Sequence, residues 1–163
     1  MKNKISVSDL IRHIFMSGDL TSEYFQNADM LDGIKAHQHI QSKYTEDDQK
    51  EVFIEHSFND LEIPMILTGR IDGVLNETEL ILEEIKSTRE NIHSPNFKYR
   101  KQHYAQLMLY AYMYSLNNQI DNIKTRLNYI NIASYESKYF YFEKSIDELR
   151  EFFIDSIDDY TKF

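Results

Sequence analysis

Residues 63–87, IPMILTGRIDGVLNETELILEEIKS, set the architecture of the chain. Two runs rich in β-branched and apolar residues flank LNETE (Leu75 to Glu79), whose composition is that of a turn, so the stretch reads as two adjoining antiparallel strands. VFIEHSF (residues 52–58) precedes it as a third strand, with Asn59-Asp60 marking the turn between. Side chains alternate along a strand, so Glu84 and Lys86 share one face while Glu83 and Ile85 point away. The eleven residues between Asp72 and Glu84 suit a turn that brings the two acids together. Ile81, Leu82 and Ile85 mark a buried central strand, where charges need partners or a metal. Asp72 and Glu84 can supply hard oxygen ligands to Mg²⁺ or Mn²⁺. Lys86 beside them can orient an attacking water, favour its deprotonation and offset charge growing on a phosphate. A plain ion pair between Glu84 and Lys86 is the alternative.

Helical patterns lie on both sides. Ser6 or Ser8 can cap a first helix that runs through Leu10, Ile11 and Ile14 toward Met16 and ends at Gly18. A second is expected over Ala28 to Tyr44, with Gly33, Ala36, His37, Ile40 and Tyr44 on one face and His39 nearly opposite. Gly33 weakens that helix unless a close backbone approach requires it, which implies a helix pressed onto the sheet and delivering the His37 imidazole. A hydrogen-bonded core histidine is the competing reading. TEDDQK (residues 45–50) reads as a loop. Phe97 to Leu116 forms a long helix, apolar over most of its circumference and therefore packed between other elements. Gln106 and Tyr110 share a face of it at i, i+4, and a buried Gln amide must find partners; Tyr112 and Tyr114 read as core. TRLNYINIAS and KYFYFEKS form a further strand pair, and a capping box from Ser145 to Glu148 opens a closing helix. The order is helix, helix, three strands, helix, two strands, helix: one α/β domain over residues 1–163, with helices flanking a central sheet.

Composition narrows the chemistry. The chain has no cysteine, which excludes disulfides, thiolate zinc sites and iron–sulfur clusters, so a metal must be held by oxygen or imidazole. A net charge of −9 argues against a protein that simply coats nucleic acid, but not against an enzyme that meets phosphate through metal and a few local cations. FKYRKQH (Phe97 to His103) concentrates base and aromatic character in this acidic chain, either as a solvated helix start or as a nucleic-acid contact. No apolar run approaches the ~18 residues of a membrane span, and the N-terminus lacks the apolar core of a signal peptide, so a cytoplasmic location and no membrane partner are expected.

Four motifs follow one another: Gly33-x-x-x-His37, Asp72 in GRID, Glu84-Ile85-Lys86, and Gln106-x-x-x-Tyr110. In this order they resemble the RecB-like branch of the PD-(D/E)XK nucleases. DGIKAHQHIQ, GRIDGV, LEEIKST and HYAQLMLYAYMY are similar to stretches of the N-terminal nuclease domain attached to some clostridial DinG-like helicases, over essentially the whole chain. The resemblance implies a restriction-endonuclease-like core, a mixed sheet of about five strands between helices. It implies that His37, Asp72, Glu84 and the backbone carbonyl of Ile85 bind Mg²⁺ or Mn²⁺, as two ions, with Lys86 activating water. Gln106 and Tyr110 would line the site and help place the DNA or the lysine. Ile71 stands where the family name has proline, at a position that varies widely. The expected activity is metal-dependent DNA hydrolysis, as an exonuclease or flap-type nuclease in repair or recombination, with DNA and a helicase domain or subunit as partners. A nuclease-like module that binds DNA or serves a helicase without cutting is the alternative, mildly favoured by the acidic charge.

Overall fold

A computed structural model describes residues 3–15 and 27–161, leaving aside the side chains of residues 27–29. The chain runs β1 (Asn3–Ser6), α1 (Val7–Ile14), α2 (Asn27–Gln41), β2 (Gln49–Phe58), β3 (Met65–Asn76), β4 (Leu80–Thr88), α3 (Lys101–Asn118), β5 (Asn122–Asn131), β6 (Ser137–Ser145) and α4 (Ile146–Thr161). The strands form one six-stranded mixed sheet in the order β1-β3-β4-β5-β6, with β2 also paired to β3. β1 lies parallel to β3 and β4 parallel to β5; the remaining pairs are antiparallel. The three expected consecutive antiparallel strands are therefore present.

Four boundaries correct the sequence reading. β1 was not anticipated, because NKIS is too short to show a period of two, and it raises the strand number from about five to six. Of the two candidate caps, Ser6 serves: its hydroxyl accepts from the Asp9 amide at 3.0 Å. α1 stops at Ile14 with Phe15 as its C-cap, short of the expected end toward Met16 and Gly18, which lie outside the described residues. α2 stops at Gln41, leaving Tyr44 in the turn beyond it. α3 starts at Lys101; Phe97 to Arg100 stay non-helical because the Phe97 ring packs edge-on against Tyr129 and the Arg100 amide donates to the Tyr129 hydroxyl. The capping box at the start of α4 closes in both directions: the Glu148 amide donates to Ser145 Oγ at 3.1 Å, and the Ser145 amide to Glu148 Oε1 at 3.0 Å.

Helices α1, α3 and α4 pack together on one face, and α2 covers β4 and β5 on the other. α3 buries Leu107 to Met113 without a break, as its all-round apolar sequence requires. On the α2 side, Ala36 and Ile40 close over Ile85 and Ile130 in a smaller core. A Cβ on Gly33 would meet Ser87 Oγ at 2.9 Å, so the glycine allows the close approach of α2 to β4 that its position implied. No helix among the described residues is long and apolar enough to cross a membrane.

Candidate functional site

One edge of β3 is shared by two different strands. β1 takes residues 65–68 and β4 takes residues 73–76, which leaves residues 69–72 with no ladder partner on that edge. β4 pairs with β3 only as far as Glu83 and then follows β5 alone, so the strands fork between Asp72 and Glu84. A fork opens backbone N–H and C=O groups that must be satisfied some other way. Here the candidate site residues satisfy them. Asp72 Oδ2 accepts from the Ile85 amide at 2.8 Å, and Glu84 Oε1 accepts from the Asp72 amide at 3.3 Å. His37 Nε2 donates to the Ile85 carbonyl at 2.7 Å and stands 3.4 Å from Asp72 Oδ2. The structure thus brings together His37, Asp72, Glu84 and the main chain of Ile85, from α2, β3 and β4.

Lys86 completes the cluster from the α3 side. Its Nζ lies 3.3 Å from Glu84 Oε2 and donates to Gln106 Oε1 at 2.6 Å; Gln106 Nε2 in turn donates to the Tyr110 hydroxyl at 3.2 Å. The i, i+4 spacing of Gln106 and Tyr110 therefore builds a relay that ends on the lysine. Gly69 is what admits Tyr110: a Cβ there would lie 2.3 Å from the ring. The alternation along β4 holds as well. Glu83 and Ile85 point to the other face, where Glu83 accepts from the Tyr44 hydroxyl at 2.7 Å and pairs with Arg126.

The electrostatics follow from burial and crowding. Burial opposes charge on His37, but the hydrogen bond and charge of Asp72, with the Ile85 carbonyl, raise its pKa to about 9. Burial likewise disfavours the Asp72 carboxylate, yet the His37 and Ile85 donors hold its pKa below the usual range. Glu84, 2% exposed, is pushed up to about 8 by burial and by the negative charge of Asp72, with Lys86 acting the other way. Near neutral pH the cluster therefore carries a protonated His37, an ionised Asp72 and a largely protonated Glu84. Two buried carboxyls that cannot both ionise comfortably are a place for a cation. The donor set is hard: carboxylate oxygens, one carbonyl and one imidazole, which suits Mg²⁺ or Mn²⁺. Among the described residues no three acidic or histidine side chains are preassembled around a common point.

The cluster opens into a cleft of about 440 Å³, also lined by Ser6, Ser8, Glu51, Phe53, Thr68 and Arg70. Sequence reasoning missed several of its neighbours. Glu51 holds a left-handed φ of 54° at the position of β2 that faces Asp72, a strained backbone that only surrounding structure can impose. Gln41 Nε2 bridges Glu51 Oε1 at 3.1 Å and the Asp72 carbonyl at 3.0 Å; its place one turn after His37 was the available signal. His103, from the basic stretch, is pushed down to about 3 by burial and by the charges of Lys86 and Arg100, and its ring bonds the Tyr129 hydroxyl at 2.8 Å. A second hollow, about 620 Å³, lies away from this cluster, around Tyr44, Arg126 and Tyr139. Its Arg126 guanidinium is already paired with Glu83 and Glu77.

Comparison with known proteins gives the family and the fold. A sequence profile of the family described as the PD-(D/E)XK nuclease superfamily matches residues 7–160. The crystal structure of SSO0001 superposes with a TM-score of 0.63 at 22% identity, over 96% of this chain and 76% of that one. The alkaline exonuclease LHK-Exo from Laribacter hongkongensis superposes with a TM-score of 0.55 at 13% identity, over 98% of this chain and 87% of that one. At these identities the likeness is one of fold. No curated protein matches the sequence.

Proposed function

Because the chain belongs to the PD-(D/E)XK nuclease superfamily, we propose that it is a metal-dependent deoxyribonuclease working at the fork between β3 and β4. The observation that carries this reading is the meeting of Asp72 and Glu84, two buried acids from splayed strands, beside the Lys86 ammonium. In this reading His37, Asp72, Glu84 and the Ile85 carbonyl hold Mg²⁺ or Mn²⁺, as two ions. Such an ion supplies Lewis acidity at the phosphate and makes water acidic enough to lose a proton near neutral pH.

The chain's own groups do the rest. Lys86, held by Glu84 and Gln106, points a fixed ammonium at the reacting phosphate, where it orients the attacking water and offsets the growing negative charge. Gln106 and Tyr110 keep the lysine from swinging away. His37 would hold the metal as a neutral imidazole, through the Nε2 that stands beside Asp72 Oδ2 and the Ile85 carbonyl. The order of motifs supports the RecB-like branch, and the resemblance to helicase-attached domains supports an exonuclease that works with a helicase in repair or recombination.

The test is direct. Labelled single- and double-stranded DNA should be degraded by the purified protein with Mn²⁺ or Mg²⁺ and left intact in chelator. Asp72→Asn and Lys86→Ala should each lower the rate by at least about 100-fold while keeping the fold. A folded wild type that cuts no DNA with either metal would replace this reading with that of a DNA-binding module.

A further inference from the structure

The cleft holds an aromatic ring that the chemistry at the fork does not use. From Val52 onward β2 alternates, with Ile54 and Phe58 buried and Phe53, Glu55 and Ser57 outward. Among the described residues no helix covers the outward face of β2 and β3, since α2 lies over β4 and β5. Phe53 stands on this open floor with 62% of its surface exposed, yet it lines the same cleft as Asp72, Glu84 and Lys86. Among the described residues its ring has no aromatic partner. An exposed apolar ring in an otherwise polar cleft is unexplained by packing.

Its cross-strand neighbour supplies the second half. Phe53 pairs directly with Arg70 on β3, and directly opposed residues project from the same face with Cβ atoms roughly 5 Å apart. Arg70 is exposed and makes no ion pair among the described residues, although the chain carries a net charge of −9. It lies two residues before Asp72, about 7 Å along the strand. A ring face and an unpaired guanidinium side by side, one short step from two candidate metal ligands, match the base and the phosphate of one nucleotide.

We propose that Phe53 and Arg70 form a nucleotide-holding step on the cleft floor that stacks an unpaired base and anchors its phosphate, so that the protein prefers single-stranded DNA or frayed ends to intact duplex. This rests on the nuclease reading and names its substrate class. The physical reason for the preference is that a duplex hides base faces inside its own stack, whereas a single strand can offer them to an aromatic side chain. Phe53 is a specificity residue here, and Arg70 a positioning residue that holds the scissile neighbourhood over the fork.

The chain has no tryptophan, so Phe53→Trp installs a single, selectively excitable tryptophan at the floor of the cleft. In chelator, where metal-dependent cutting is silent, a single-stranded oligonucleotide should quench this tryptophan saturably. A blunt duplex and an abasic oligonucleotide of equal length should not. By anisotropy of labelled DNA, Phe53→Ala should lose about tenfold or more in single-strand affinity and Phe53→Tyr should retain it. Arg70→Ala should weaken binding and lower the salt slope by about one. Phe53→Ala should leave the metal-induced rise in Tm unchanged. Equal quenching by the abasic strand, no quenching by the single strand, or an unchanged single-to-double-strand preference in Phe53→Ala would each overturn the proposal. A wild type that cuts nothing, while the Phe53→Trp variant is still quenched by single strands, would sink the nuclease reading alone.

Discussion

Replacing Glu84 by Gln removes a carboxyl that the metal-free protein can scarcely ionise, and the consequence for stability has a definite sign. The folded pKa is about 8 against an ordinary value of 4.5. For a raised carboxyl, the stability present below the unfolded pKa is lost as pH climbs toward the folded one, at about 1.4 kcal/mol per pH unit. By pH 7 the accumulated loss is about 3 kcal/mol. The substituted amide would keep an acceptor for the Asp72 main-chain N–H but present a poor neighbour to Lys86, a cost of about 1 kcal/mol. Glu84→Gln should therefore be the more stable protein at pH 7 in chelator, by about 2 kcal/mol, or roughly 4–8 °C in Tm for a chain of this size. The gain should shrink as pH falls to 5. Thermal melts at pH 5, 7 and 8 in chelator measure it. Added Mn²⁺ should then raise the Tm of the wild type and leave that of the variant where it was. A variant that melts below wild type at every pH, with a gap that ignores pH, would refute the electrostatic argument.

Other perturbations separate scaffold from site. Gly69→Ala drives a methyl group into the Tyr110 ring and should cost about 1–3 kcal/mol in chemical denaturation, with slower cleavage as the tyrosine shifts. Glu83→Ala leaves the half-buried Arg126 guanidinium without its closest partner and removes the acceptor of Tyr44; a loss of about 2–4 kcal/mol is expected, with the metal dependence of cleavage intact. Gln106→Ala frees Lys86 and should reduce kcat by about 10–100-fold while the metal-induced rise in Tm persists. Ser145→Ala opens the capping box of α4 and should cost about 1 kcal/mol without touching activity.

Much of the site was legible because its elements are local. The strand period of two separates Glu84 and Lys86 from Glu83 and Ile85, and the structure sends the first pair to α3 and the second to α2 and β5. The helical period placed Gln106 beside Tyr110, and Gly33 announced the close contact of α2 with β4. Glu51 and Phe53 left no such trace: one is an ordinary acid and the other an ordinary strand aromatic until the open floor and the facing Asp72 are known.

The α/β class, the three consecutive strands, the capped closing helix and the residues able to serve a hard metal can all be read from the order of amino acids. They follow from periodicity, turn chemistry and donor type, which act over a few residues. The fork cannot be read that way. It exists because β1, four residues long, takes the edge of β3 that β4 abandons, so that Asp72, Glu84 and Ile85 face one another across the gap. Which acid is ionised and which protonated is likewise a property of the assembled fold, because those pKa values are set by burial and by charges drawn from three separate elements.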